Sequence, residues 1–150
     1  MIDADGVTYP TRARLVVRKL GPTGRAEARP VGIEWRYDRA DPWAITMQVI
    51  GTEYVYRFAR DLLDRGRNEP VGADGFVFVQ PLLSQWIEVT VRCNCGTGTC
   101  TSVALFSFNH AEIDNVLDVT EQLVPLGAEA DQVDPAAVDV ELARIVLGGQ

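Results

Sequence analysis

Apolar and polar residues alternate through the first half of the chain with the period of two that marks strands burying a single face. From Arg12 to Lys19, residues Ala13, Leu15 and Val17 fall on one side and Arg12, Arg14 and Arg18 on the other, which predicts a half-buried strand. Gly21-Pro22-Thr23-Gly24 is a turn signal. Val31 to Tyr37 alternates again, setting Val31, Ile33, Trp35 and Tyr37 opposite Gly32, Glu34 and Arg36. Asp41-Pro42 punctuates the chain, because proline fixes its own φ and restricts the residue before it. Ala44 to Ile50 then places Ile45, Met47 and Val49 on one face, and after Gly51-Thr52 the run Glu53 to Phe58 carries Tyr54, Tyr56 and Phe58. The result is a four-stranded meander. Ala59 to Arg65 reads as a short helix stopped by Gly66, where glycine suits a left-handed helix end.

A loop over Pro70 to Gly75 leads to a second run of strands at Phe76 to Val79, Trp86 to Cys93 and Cys100 to Phe108, the last two forming a hairpin. Asn109 with Glu112 three residues on resembles a capping box, and Ile113, Val116, Leu117, Thr120 and Val124 share one helical face. Asp134-Pro135 opens a further helix, whose Val138, Leu142, Ile145 and Val146 form an apolar stripe before Gly148-Gly149. Strands joined by short turns are antiparallel, so the fold class is α+β: antiparallel strand meanders, each followed by helix. The two strand-then-helix halves hint at a duplicated unit, without a residue-level repeat to support it.

With 150 residues, 47% of them hydrophobic, the chain can build one core. Residues 1–10 are expected to be a flexible N-terminal segment and 11–150 a single domain. No apolar run approaches the roughly 18 to 20 residues of a membrane span, and the acidic start is unlike a signal peptide, so a cytoplasmic protein is expected. Charge is lopsided. Residues 1–67 hold 12 Arg/Lys against 9 Asp/Glu, and residues 68–150 hold 2 against 12, giving the net −7. That acidic half opposes unspecific nucleic-acid binding, although Arg12, Arg14, Arg18 and Arg36 leave a basic strand face open as a single-stranded nucleic-acid surface.

Few residues suggest catalysis, and no cofactor is expected. Cys93, Cys95 and Cys100 with His110 offer four candidate metal ligands, but Cys-x-Cys-x4-Cys lacks the usual two-to-four-residue separation within each pair. Reduced structural thiols, a cross-strand disulfide between Cys93 and Cys100, and a zinc or redox site remain open. Gly96-Thr97-Gly98 is read as a hairpin tip, since no Lys follows it and a strand comes next. His110 has no Ser or Cys with a supporting acid to pair with, and it falls in the first turn of a helix.

Tyr37-Asp38, Asp41-Pro42-Trp43-Ala44 and Phe58-Ala59-Arg60-Asp61-Leu62-Leu63 follow one another at spacings that resemble the SsgA-like sporulation and cell-division proteins of actinomycetes. The ending Asp139-Val140-Glu141-Leu142-Ala143-Arg144-Ile145-Val146-Leu147 is similar to that family's acidic-Glu-Leu-x-x-Ile close. The resemblance implies a non-catalytic regulator of septum placement or septation in sporulation-type division. It would be recruited from the cytoplasm to the septum, and its partners would be FtsZ, the tubulin-like division protein, and other septal proteins. It also implies a fold like the whirly and guide-RNA-binding proteins and a homotrimer.

The matching positions Tyr37, Asp38, Asp41, Pro42, Arg57, Phe58, Arg60 and Asp61 are carried over as family-marking, candidate partner-binding residues. If the junction near residue 60 is helical, Arg57 can pair with Asp61 and Arg60 with Asp64, as a solvated capping network or as an arginine anchor presented to a partner. Two features depart from the family pattern: the cysteine hairpin, and Gln80 before Pro81 where an aromatic residue is more usual.

Overall fold

The computed structural model describes residues 5–19, 27–72, 76–83, 85–92 and 102–132. The cysteine hairpin, the Gly21 to Gly24 turn and the helix expected from Asp134 lie outside the described residues.

Seven strands form one antiparallel sheet: β1 (Gly6–Lys19), β2 (Glu27–Asp38), β3 (Asp41–Val49), β4 (Val55–Ala59), β5 (Val77–Leu82), β6 (Trp86–Arg92) and β7 (Ser102–Asn109). Helix α1 (Arg60–Arg65) follows the first meander, and α2 (His110–Leu123) follows the second, with a 3-10 turn at Glu129–Gln132. The strand order β4-β3-β2-β1-β7-β6-β5 makes the two meanders adjacent blocks joined by β1 and β7. The α+β class and the order of strands and helices therefore follow the alternation pattern.

Strand limits differ from it in instructive ways. β1 starts at Gly6, so residues 6–10 of the segment expected to be flexible are strand, paired in register from Gly6 with Asp38 to Pro10 with Glu34. Val7 is buried there with Tyr37, Leu123 and Val124, partners that come from distant parts of the chain. β5 runs on through Gln80-Pro81 to Leu82. Proline is tolerated because β5 is an edge strand, where a missing N–H need not break a ladder.

Odd and even positions separate as the period of two requires. Leu15, Ile33, Trp35, Ile45, Met47, Ile87, Val89, Phe106 and Phe108 are buried on one face, under α1 and α2. Trp35 satisfies its indole N–H by donating to the Thr11 hydroxyl, 2.9 Å away in the interior.

The sheet is strongly curled. Tyr56 on β4 and Phe106 on β7 stand four strand spacings apart in order, about 19 Å in a flat sheet, yet their ring centroids are 6.0 Å apart. α1 packs against β3 and β4 and also against β5 at the opposite edge, so it closes the curl from within.

Gly66 ends α1 with φ −65° and ψ −11°, not in the left-handed region expected of it. Its glycine is required by closeness: a Cβ there would stand 2.2 Å from Val79 Cγ1 on β5. The adjoining chain then bridges to β5 through reciprocal Val71–Val79 hydrogen bonds of 2.9 and 3.0 Å.

Candidate interaction site

The β2–β3 turn is built by Asp38, whose carboxylate accepts from the Ala40 N–H at 2.8 Å, a local bond that favours turns over regular structure. Asp41-Pro42 begins β3 directly after it, and the Tyr37 hydroxyl donates to the Pro42 carbonyl at 2.8 Å. The N–H of Arg39 donates to the Asp5 carbonyl at 2.8 Å, tying the turn to the start of the chain.

Beside this turn lies an open depression of about 250 Å³, lined by Gly6, Val7, Thr8, Arg36, Tyr37, Asp38, Asp41, Ala44, Thr46 and Arg57. Thr8, Arg36, Thr46 and Arg57 are register partners across β1, β2, β3 and β4, so two guanidiniums alternate with two hydroxyls along one row. Each guanidinium is balanced. Arg36 donates to Glu34 at 2.6 Å and to Gln48 at 2.5 Å, and Arg57 pairs with Asp41. Such mixed, half-exposed charge suits reversible polar docking, since exposed ion pairs cost little to exchange.

Beneath the depression sits a side chain that the sequence reading places at the surface. Arg60 is fully buried, not presented to a partner, and it pairs with Glu129 at 2.5 Å in place of the expected Asp64. It also donates to the Val124 carbonyl at 2.7 Å, the Thr120 hydroxyl at 3.4 Å and the Pro125 carbonyl at 3.4 Å. Its guanidinium lies 4.7 Å from the centroid of the Tyr37 ring, a cation–π contact. Arg60 Nε has no hydrogen-bond partner among the described residues.

The electrostatics follow from this packing. Burial alone raises the Glu129 pKa, but bonds from Arg60 and backbone N–H groups outweigh it and hold the carboxyl below its ordinary range. Burial pushes the Tyr37 hydroxyl up, opposed by Arg60 and reinforced by Glu129.

The other family-marking residues divide in the same way. Pro42 and Phe58 are buried, Phe58 meeting Trp35 edge-on at 6.2 Å between centroids. Asp61 is exposed and pairs with Arg65 at 3.4 Å, whereas the expected Arg57–Asp61 pair gives way to Arg57–Asp41. Asp64 pairs with Arg67, which reaches Asp114 on α2 at 2.9 Å. Asp114 also meets His110 Nδ1 at 3.0 Å, so the histidine is engaged in an ion network; Cys93, Cys95 and Cys100 lie outside the described residues.

Sequence reasoning missed Glu129, Thr120 and Asp114 as partners. Their separations from Arg60 and Arg67 span 47 to 69 positions, beyond any local spacing rule.

Comparison with known proteins gives a consistent picture. The model of a family described as Streptomyces sporulation and cell division protein, SsgA, matches residues 31–129. The sporulation-specific cell division protein SsgB of Frankia casuarinae is 34% identical over 148 residues, covering 97% of this chain and 94% of that protein. SsgB of Salinispora tropica is 33% identical over 129 residues, covering 82% and 85%. Among solved structures, one reported with SsgB mutations that correlate to longitudinal cell division in sporulating Streptomyces coelicolor is 25% identical, with a TM-score of 0.63 and coverage of 87% and 98%. The SsgA-like sporulation-specific cell division protein of Thermobifida fusca is 25% identical, with a TM-score of 0.64 and coverage of 95% and 98%.

Proposed function

The chain belongs to the SsgA family of sporulation and cell-division proteins, and from that premise we propose that it regulates septation without catalysis, by docking onto FtsZ and other septal proteins. The observation that carries this reading is spatial. Family-marking Tyr37, Asp38, Asp41 and Arg57 line one open depression, while Phe58 and Arg60 hold the scaffold beneath it. A surface of this kind offers polar contacts of fixed geometry, and a rigid base lowers the entropy lost on binding. No helix of the described residues is long and apolar enough to cross a membrane. The whirly-like fold and the homotrimer belong to the same proposal, and light scattering on the purified chain measures the assembly.

Co-sedimentation with FtsZ polymers tests the reading. Wild type should pellet with polymers, and the Asp41→Arg/Arg57→Asp swap, which keeps an ion pair but reverses its direction, should reduce pelleting about tenfold. Wild-type protein left in the supernatant, or a pull-down from actinomycete lysate that recovers DNA-processing factors and no division protein, would sink it.

A further inference from the structure

The sheet has two faces, and the core uses one. The arginines of the described residues differ in their partners and in the place they occupy. Around the depression and the helices, Arg36, Arg57, Arg60, Arg65 and Arg67 each have a carboxylate partner. Arg39 donates to the Leu123 carbonyl instead, and Arg29, in register with Leu15, has no carboxylate partner among the described residues. Arg12, Arg14, Arg18 and Arg92 have none there either, and these four are exposed on the outer face of the sheet. They gather in one place. Arg12, Arg14 and Arg18 alternate along β1, and Arg92 of β6 shares a cross-strand row with Arg18 through Val103 of β7.

Between them runs an apolar row. Val16 is registered with Leu105, Leu105 with Thr90 and Thr90 with Phe78, so three half-buried apolar side chains and a threonine cross β1, β7, β6 and β5. From Phe78 to Val16 is three strand spacings, about 14 Å, and from Arg14 to Arg18 is four residues, also about 14 Å. Unpaired positive charge on a chain of net charge −7, flanking an apolar strip, is complementary to an occupant that is both acidic and apolar.

We infer that this outer face of β5, β6, β7 and β1 docks an extended acidic segment of a partner protein, about six to eight residues long, alternating carboxylates with apolar side chains. The inference rests on the reading that the protein works by docking onto other proteins. The carboxylates meet Arg12, Arg14, Arg18 and Arg92, and the apolar side chains lie along Val16, Leu105 and Phe78. A long polyanion fits less well: Glu88 and Glu34 stand on the same face, registered opposite Ser107 and Pro10, and repel phosphates that run past the patch. Single-stranded nucleic acid stacks on several rings along a basic track, whereas the row itself carries Phe78 alone; exposed Phe76 precedes β5, and exposed Trp86 stands on the far side of Glu88 from Arg92.

Fluorescence anisotropy on the full chain tests this with four labelled probes: an Asp-Leu alternating octapeptide, its Lys-Leu counterpart, a sixteen-residue oligothymidine and phosphatidylglycerol vesicles. The Asp-Leu peptide should bind, and Arg14→Glu/Arg18→Glu should weaken it by roughly tenfold or more. Leu105→Ser, which leaves charge untouched, should weaken it several-fold, and Arg65→Ala, exposed on α1 and outside both surfaces, should leave it unchanged; circular dichroism confirms that each variant is folded. An Asp-Leu peptide that does not bind, binding indifferent to Arg14→Glu/Arg18→Glu, or equal or tighter binding of any other probe overturns the inference. Co-sedimentation with FtsZ polymers in parallel separates the two claims. Polymer binding without peptide binding overturns the acidic-segment inference alone, and no polymer binding by wild type overturns the docking reading beneath it.

Discussion

Arg60 carries a charge into the interior and satisfies it with four distant groups: the Glu129 carboxylate, the carbonyls of Val124 and Pro125, and the Thr120 hydroxyl. Removing one partner of a buried pair leaves the other uncompensated, which costs about 3 to 5 kcal/mol. Arg60→Met should therefore lower the free energy of urea unfolding at neutral pH by about 3 kcal/mol. Acid should reach the same latch. Glu129 is held below the ordinary glutamate value of 4.5, so its contribution is complete above that value and is lost as pH falls through the lower folded pKa. Asp114, depressed by Arg67 and His110 against the opposing effect of burial, loses its contribution in a similar acidic window. Unfolding free energy should fall on acidification below about pH 4.5, less steeply in Glu129→Gln, with the remaining slope due to Asp114. An identical acid slope in Glu129→Gln would remove the latch from the explanation.

Helix α2 shows how one element is completed by others. Its N-terminus is closed locally: Asn109 accepts from the Ala111 N–H at 2.9 Å, and Glu112 places negative charge in the first turn, where the helix dipole favours it. Its C-terminus has no basic residue in the last turn, and guanidiniums from elsewhere fill that role. Arg39 donates to the Leu123 carbonyl at 3.4 Å and Arg60 to Val124. Asn109→Ala should cost about 1 kcal/mol in thermal unfolding, with Asn109→Asp recovering most of it. The start of α2 was legible in the sequence because a cap acts over three residues. The cap at its end was not, since the arginines that supply it lie 64 and 84 positions away.

At the scale of the whole molecule, the curled sheet depends on how closely α1 approaches the far edge. A Cβ at Gly66 meets Val79 Cγ1 at 2.2 Å and the Leu62 carbonyl at 2.9 Å, so the contact between α1 and β5 tolerates no side chain. Gly66→Ala should destabilise by about 1 to 3 kcal/mol through overpacking, despite alanine's better helix propensity. Adding Val79→Ala to Gly66→Ala should recover part of that loss, although Val79→Ala alone destabilises. Thermal unfolding of the three variants measures this, and additive losses would show that the two side chains do not compete for one space.

By itself the sequence determined the centres of the strands, their succession along the chain, most of the inward positions and the helix that follows each meander, while Val17 and Tyr54, expected on inward faces, are exposed. Alternation and caps act through near neighbours, and their period is written in consecutive residues. The family was legible for the same reason, in the short motifs from Tyr37 to Leu63. Only the tertiary structure decided that Gly66 serves a close approach and that Arg57 belongs to Asp41. It also decided that Arg60, which looks like a surface anchor beside Asp61, is the buried tie between α1 and the end of α2. Each of those contacts depends on the curl that brings β4 toward β7 and β5 toward α1, and curl is a sum over all seven strands that no local spacing records.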